Sequence, residues 1–228
     1  MSCKAMILAA GLGTRLRPLT DDRPKALLEF RGVPMLEQVI KKLKNSGFRE
    51  IIINVHHFPE QIMDFVSSKD HFGIRIEFSD ERDKLLDTGG AIKHARWFFD
   101  DTPFLVHNID IYSNIDLKAM YRFHLKHAPL ATLAVKERLT TRCLLMGPDN
   151  RLSGWRDNRS GEETIIRESS SLIPIAFSGM YILDPSIFNL FGDSDRFSII
   201  DTFLDLGAEH DILLYRHDKD DWMDMGKQ

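Results

Sequence analysis

Ten residues into the chain, a short run combines glycines with basic side chains: Ala10, Gly11, Leu12, Gly13, Thr14, Arg15, Leu16, Arg17 and Pro18, followed by Pro24 and Lys25. Glycine lets the backbone approach a polyphosphate closely, successive amide groups can form an anion-binding nest, and Arg15 and Lys25 add formal positive charge. The expected chemistry is a grip on a triphosphate through Ala10, Gly11, Gly13 and Thr14. A dinucleotide-binding turn is excluded, because Leu16 stands where its third glycine belongs and Pro18 disfavours an immediate long helix. The Walker-type spacing of glycine and lysine is absent as well. Arg17 and Arg23 read as solvated loop charges.

A second candidate lies at the end of an apolar run, Phe104, Leu105 and Val106, which leads through His107, Asn108 and Ile109 into Asp110. Ligands of open α/β sheets bind beyond the carboxyl ends of strands, which is where this carboxylate falls. Asp116 is the better cap for the helix that follows, leaving Asp110 as a metal-ligand candidate. The paired His56 and His57 are not expected to share a metal, because adjacent strand residues point to opposite faces.

The elements that must position these residues alternate. Runs with strand character at 5–10, 51–55, 74–79 and 104–106 are separated by helical patterns at 35–46, 60–67 and 90–99, the first with Leu36, Val39, Ile40 and Leu43 on one face. Such alternation implies a parallel sheet. Beyond Asp110 a helix from Asp116 to about residue 126 precedes strands at 131–136, 142–146 and 175–183, a mixed and partly antiparallel elaboration. The polar stretch 157–163 reads as a mobile hairpin or loop, and Trp97, Phe98 and Phe99 as core and helix-end packing. With 228 residues, 43% of them hydrophobic, the chain can bury a sizeable core, and residues 1–228 are read as a single domain. A net charge of −4 gives no general attraction to nucleic acid. Cys3 and Cys143 form neither a disulfide framework nor a metal cluster. The apolar run 5–10 is too short to span a membrane, which points to a cytoplasmic protein with no membrane partner.

From Gly11 to Lys25 the string resembles the signature of the sugar-1-phosphate nucleotidylyltransferases, Gly-x-Gly-Thr-Arg-Leu-x-Pro followed by Pro-Lys. This resemblance implies an α/β, Rossmann-like nucleotidyltransferase fold with a mixed, mostly parallel central sheet flanked by helices. It implies transfer of a nucleotidyl group from a nucleoside triphosphate to a sugar 1-phosphate, with release of pyrophosphate. Arg15 then grips the triphosphate and Lys25 neutralises the phosphates during transfer. Asp221, Trp222, Met223, Asp224, Met225 and Gly226 resemble the family's Trp-x-Asp-x-Gly element, which makes Asp224 the partner of Asp110 on magnesium, an ion that often binds through one or two carboxylates plus substrate phosphates.

The segment 85–91 looks like the family's base-contacting turn and supplies Asp87 and Gly90. A carboxylate at Asp87 can accept from uracil or guanine but is repelled by cytosine N3, which favours UTP or GTP; capping of the next helix by Asp87 or Thr88 is the competing use. Phe177, Ser178, Gly179 and Met180 resemble a sugar-facing element, so Asn108, Ser178 and Gly179 are the candidate sugar contacts, with an ordinary strand bulge at Gly179 as the alternative. Two departures stand out. Ile109 replaces the glycine of the usual Asn-Gly-Asp, and the Glu-Lys pair whose lysine holds the sugar phosphate has no equivalent in 155–167: either Arg156, Arg159 or Arg167 substitutes, or the subgroup differs.

Leu86-Asp87-Thr88-Gly89-Gly90 and Asn54-x-His56 most resemble the members that use UTP and N-acetylmuramate 1-phosphate, with mannose-1-phosphate guanylyltransferases the close alternative. A phosphomonoester is largely dianionic above its second ionisation near pH ~6, so the attacking oxygen needs no general base and direct displacement is expected. A glycosyltransferase would show Asp-x-Asp, of which Asn108-Ile109-Asp110 is a partial match; a silent nucleotide-sugar binder would tolerate loss of Arg15 or Lys25. Oligomeric state, and continuation of the chain past Gln228, stay open.

Overall fold

In the computed structural model, which describes residues 3–226, the alternating first part becomes β1 (Cys3–Leu8), a small hairpin of β2 (Glu29–Phe30) and β3 (Val33–Pro34), α1 (Met35–Asn45), β4 (Phe48–Val55), α2 (Pro59–Ser68), β5 (Arg75–Asp80), α3 (Asp87–His94) and β6 (Phe104–Asn108). The remainder forms β7 (Ile111–Ser113), α4 (Leu117–His127), β8 (Ala131–Lys136), β9 (Arg142–Met146), β10 (Leu152–Asp157), β11 (Glu163–Ile165), β12 (Ile173–Leu183), α5 (Ile199–Leu206), β13 (Ile212–Arg216) and β14 (Trp222–Asp224). β5, β4, β1 and β6 run parallel, and β12 joins β6 antiparallel. The sheet continues in the order β12, β9, β10, β11, while β8 pairs with both β12 and β13. The mixed α/β sheet flanked by helices is as the sequence implies.

Both faces of the parallel strands are buried, and the period-two geometry of a strand divides each one between two cores. Ala5 and Ile7 of β1, with Ile51 and Ile53 of β4, pack with Leu36, Val39, Ile40 and Leu43 of α1. Met6, Ile52, Phe104 and Val106 face the other way, toward Ala91 and Ile92 of α3 and Phe203 of α5. Phe99 stacks on Phe104, with centroids 3.8 Å apart, so the aromatic cluster is core packing apart from the exposed Trp97.

Several boundaries differ from the sequence reading. β1 ends at Leu8 because the N–H groups of Ala9 and Ala10 donate to the Asn54 side chain instead of a neighbouring strand. The pattern at 90–99 starts earlier, at Asp87, and gives way to a 3₁₀ turn at Ala95–Phe98. Asp116 caps α4 by accepting from Ala119 N at 2.9 Å. Residues 157–163 close the β10–β11 hairpin, where Asp157 Oδ1 accepts from Arg159 N at 2.8 Å. Helix α5 lies outside the sequence expectations, although Ser198 caps it and Ile199 and Phe203 give it a buried face. No helix among the described residues is long and apolar enough to cross a membrane.

Three buried histidines carry an acid sensitivity. Burial pushes His107, His124 and His217 down to about 4, and each keeps one buried ring nitrogen without a hydrogen-bond partner. All three are neutral in the folded protein at pH 7. In the unfolded chain each takes up a proton near pH ~6.5, so their contribution to stability is intact above that pH and is lost as the pH falls toward the folded values. Urea unfolding should therefore show a loss of ~2 kcal/mol per histidine between pH 7 and pH 5. A midpoint unchanged over that interval would contradict the neutral assignment.

Candidate active site

The glycine loop leaves β1 at the carboxyl edge of the parallel sheet. Gly13 adopts φ +63, and a Cβ there would lie 2.8 Å from Thr20 Cγ2, so only glycine fits without displacement. Thr20 is buried and donates to the Gly13 carbonyl at 3.0 Å, closing the loop. A Cβ on Gly11 would meet nothing within 4 Å, leaving open space on the cleft side. Among the described residues the N–H groups of Gly11, Leu12, Gly13 and Thr14 make no hydrogen bond, the arrangement an anionic ligand can use. Ala10 lines the cleft, but its N–H already donates to Asn54 Oδ1 at 3.3 Å. It therefore contributes surface and not the phosphate donor that the sequence reading implied.

Gly13, Thr14, Arg15, Lys25, Asp110, Asp224 and Gly226 line one cleft of about 220 Å³. Arg15 is exposed on its wall, whereas Arg17 and Arg23 pair with their neighbours Asp21 and Asp22. Lys25 opens a 3₁₀ turn held by Leu27 N donating to Pro24 O at 2.9 Å. The buried Ala26 anchors it, so the ammonium is aimed inward. Lys25 Nζ meets Asp110 Oδ2 at 2.5 Å. Asp224 is brought alongside because β14 pairs antiparallel with β7, with Asp224 opposite Ile111 and Met225 N donating to the Asp110 carbonyl at 2.7 Å. Residues 114 positions apart in sequence thus share a wall.

The described residues hold no cluster of three or more potential metal-ligating side chains. Two carboxylates and a loop suited to phosphate fit an ion such as magnesium, which takes its remaining oxygens from substrate and water; they do not fit a closed all-protein cage.

Lys25 and Asp110 also line an adjoining cleft of about 370 Å³, with Gly11, Asn54, Glu81, Leu85, Asp87, Thr88, Asn108, Ile109 and Arg196. Asp87 is exposed at its edge in a left-handed conformation (φ 62), and one oxygen accepts from Thr88 N at 2.6 Å. Asn108 Oδ1 is buried with no hydrogen-bond partner, an acceptor ready for a ligand hydroxyl. Ile109 is buried among the core residues and adds an apolar wall where the more usual glycine would leave a gap. Arg196, absent from the sequence reading, reaches this cleft from the segment before α5.

Three expectations need correcting. Gly89 and Gly90 do permit close approach, but of the chain itself: both N–H groups donate to Phe197 O at 2.9 and 3.3 Å, and a Cβ on Gly90 would sit 2.0 Å from Asp195 O. Gly90 faces a neighbouring cleft with Asp195 and Glu81, not the glycine loop. Ser178 is fully buried, with its hydroxyl 2.7 Å from His217 Nε2, which removes it as a sugar contact. Gly179 sits in a bulge of β12, φ +74, where a Cβ would lie 3.1 Å from Asn108 Nδ2; it shapes the cleft by backing Asn108.

Besides Arg196, sequence reasoning missed Glu81 and noted Asn54 only as part of the Asn54-x-His56 resemblance; Asn54 and Glu81 are each 3% exposed. Asn54 Oδ1 accepts from Ala9 N at 2.6 Å, and its Nδ2 donates to Glu81 Oε1 at 2.8 Å. Glu81 Oε2 accepts from Leu86 N at 3.4 Å. One carboxylate and one amide therefore tie the start of the glycine loop to the turn that presents Asp87. Burial pushes the Glu81 carboxyl above its ordinary range, opposed by the Asn54 hydrogen bond. Asn54→Ala leaves two buried N–H groups and a carboxylate oxygen without partners, a loss of ~3 kcal/mol in urea unfolding. It should also weaken anion binding by the loop, because the loop loses its tether. Unchanged stability would show that water replaces the amide.

The fold and site together define an α/β nucleotide-handling protein with a glycine-rich phosphate loop and a two-carboxylate wall. The model of the nucleotidyl transferase family matches residues 4–143. The chain is 32% identical over 217 residues to the N-acetylmuramate alpha-1-phosphate uridylyltransferase of Caulobacter vibrioides, a match covering 90% of this chain and 84% of that protein. It is 31% identical to the mannose-1-phosphate guanyltransferase of Yarrowia lipolytica, over 98% of this chain but 61% of that longer protein. The crystal structure of HddC from Yersinia pseudotuberculosis complexed with GMP-PN superposes with a TM-score of 0.79 at 26% identity, covering 98% of this chain and 94% of that one. The chain belongs to the nucleotidyl transferase family, as an enzyme of the sugar-1-phosphate nucleotidyltransferase class.

Proposed function

We propose that this single-domain enzyme couples UTP to N-acetylmuramate 1-phosphate, with magnesium, yielding the UDP-sugar and pyrophosphate in the cytoplasm, where nucleoside triphosphates are supplied. The observation that carries the reading is the convergence of Arg15, Lys25, Asp110 and Asp224 on one cleft beside glycine-loop amides that make no hydrogen bond among the described residues. The similarity to the Caulobacter uridylyltransferase supports the substrate pair.

The loop amides and Arg15 hold the triphosphate, Lys25 neutralises charge that accumulates around the α-phosphorus, and Asn108 receives a sugar hydroxyl. Magnesium, held by Asp110 and Asp224, supplies further charge neutralisation to the phosphate oxygens when bound. The sugar phosphate oxygen attacks the α-phosphorus, the bond from that phosphorus to the α,β-bridging oxygen breaks, and pyrophosphate leaves with the electron pair. Catalysis here is positioning and charge stabilisation, with no protein nucleophile.

GTP with mannose 1-phosphate is the second reading, favoured by the match to the Yarrowia enzyme and by the acceptor character of Asp87, which suits guanine as well as uracil. A one-pot competition among N-acetylmuramate, mannose, glucose and N-acetylglucosamine 1-phosphates, with UTP and GTP both present, decides between them by mass spectrometry. UDP-N-acetylmuramate should dominate; dominance of GDP-mannose would transfer the assignment to the second reading.

A further inference from the structure

Arg138, on the connection between β8 and β9, takes no part in the glycine loop or the carboxylate pair. Its guanidinium carbon lies 3.7 Å from the centre of the Trp222 ring, and Nη2 donates to the Phe177 carbonyl at 2.8 Å. Nε is buried with no hydrogen-bond partner, and among the described residues the guanidinium forms no ion pair. The arginines in 155–167 are already engaged. Arg156 pairs with Glu163, Arg159 with Asp157 at 3.6 Å, and Arg167 donates to the carbonyls of Gly207 and His210.

The residues that Arg138 touches adjoin those that line the cleft. Trp222 precedes Asp224 by two residues on β14 and therefore lies on the same face of that strand. Trp222 Nε1 donates to Ser178 O at 3.0 Å, and Phe177 and Ser178 lead into the bulge at Gly179 that backs Asn108. Burial pushes the Arg138 guanidinium below its ordinary value, and the charge of nearby Asp224 opposes that. Taking a guanidinium out of water is costly unless its donors are met, and stacking on an indole offsets only part of the cost. A planar donor set held half-buried near Asp224, with one buried N–H unmet, suits a carboxylate or phosphate that arrives with the substrate.

We propose that Arg138 receives an oxyanion of the sugar substrate, either its 1-phosphate or a carboxylate on the sugar, and so selects the acceptor; the proposal rests on the sugar 1-phosphate reading given above. The site replaces, from a different part of the fold, the lysine missing from 155–167.

Steady-state kinetics of Arg138→Met and Arg138→Lys, with N-acetylmuramate 1-phosphate and the uncharged-ring mannose 1-phosphate as separate acceptors, test it. Methionine keeps an unbranched stem against Trp222 and removes the donors. KM for the sugar 1-phosphate should rise roughly 10- to 100-fold while KM for the triphosphate stays within about twofold, and lysine should recover part of the loss. An equal rise for both acceptors assigns the 1-phosphate, and a rise confined to N-acetylmuramate 1-phosphate assigns the sugar carboxylate. Unchanged KM for both acceptors, or an equal rise for triphosphate and acceptor, overturns the proposal while leaving the functional reading intact.

If the wild type releases no pyrophosphate with any pair, the functional reading fails, and Trp222 fluorescence still judges Arg138. A saturable change on titration with inorganic phosphate or acetate, lost in both Arg138→Met and Trp222→Phe, upholds the anion site. A response independent of Arg138, or none, overturns it.

Discussion

Lys25→Ala should lower kcat roughly 10²- to 10³-fold, the cost of removing one preorganised charged donor from a site where negative charge accumulates. Lys25 is suited to so large an effect because its position is built in. The 3₁₀ turn at Lys25–Leu27 is anchored by the buried Ala26, and the ammonium reaches both adjoining clefts. Its pair with Asp110 is only partly buried, with side chains 15% and 26% exposed, so the stability cost stays near ~1 kcal/mol. Loss of turnover in a protein that still unfolds close to the wild-type midpoint is the expected signature, read by kinetics and urea unfolding together. Lys25→Arg should not restore the rate, because a planar fork cannot occupy the position of a compact ammonium 2.5 Å from Asp110. Wild-type kcat in Lys25→Ala would remove this residue from the chemistry.

Asp110→Asn should cost roughly 10³-fold in kcat, matching the several kcal/mol a metal supplies to charge stabilisation at phosphate oxygens. Asp110 directly precedes β7, whose partner strand β14 carries Asp224, and both carboxylates line the same cleft, so on the proposed reading they hold one ion. Asp224→Asn should therefore show a similar loss, and the double variant should lose little more than either single one, since residues acting as a unit are not additive. The check is a double-mutant cycle at saturating triphosphate across a magnesium series; multiplicative losses would show that the two carboxylates serve different functions.

How much of this was legible in the sequence follows from the range of the interactions. The parallel half could be read because period-two and helical patterns are local: Leu36, Val39, Ile40 and Leu43 mark α1 without reference to anything distant. The glycine loop could be read because Gly13, Arg15 and Lys25 fall within fifteen residues. Asp224 was reached through resemblance alone, since nothing local indicates that β14 will pair with β7 beside Asp110. Glu81 left no local signal, and the Asn54-x-His56 element marked Asn54 only by resemblance: a polar residue closing an apolar strand reads as a strand end, and only the folded backbone shows that Asn54 meets Ala9 and Ala10.

Ser178 and Gly90 were misplaced for the same reason in reverse. Their residue types suit a ligand, but tertiary contacts with His217 and Asp195 use them first. Helix α5 could have been found, because Ser198 stands directly before Ile199 and Phe203 at helical spacing.

The most direct test of the central claim is pyrophosphate release by the wild-type chain, followed with UTP or GTP, each with and without a sugar 1-phosphate, in magnesium and after chelation. Release that requires a sugar 1-phosphate and magnesium, and that is abolished in Asp110→Asn, is the expected result. Pyrophosphate release that proceeds without any sugar 1-phosphate, or triphosphate binding with no release across all pairs, would contradict it.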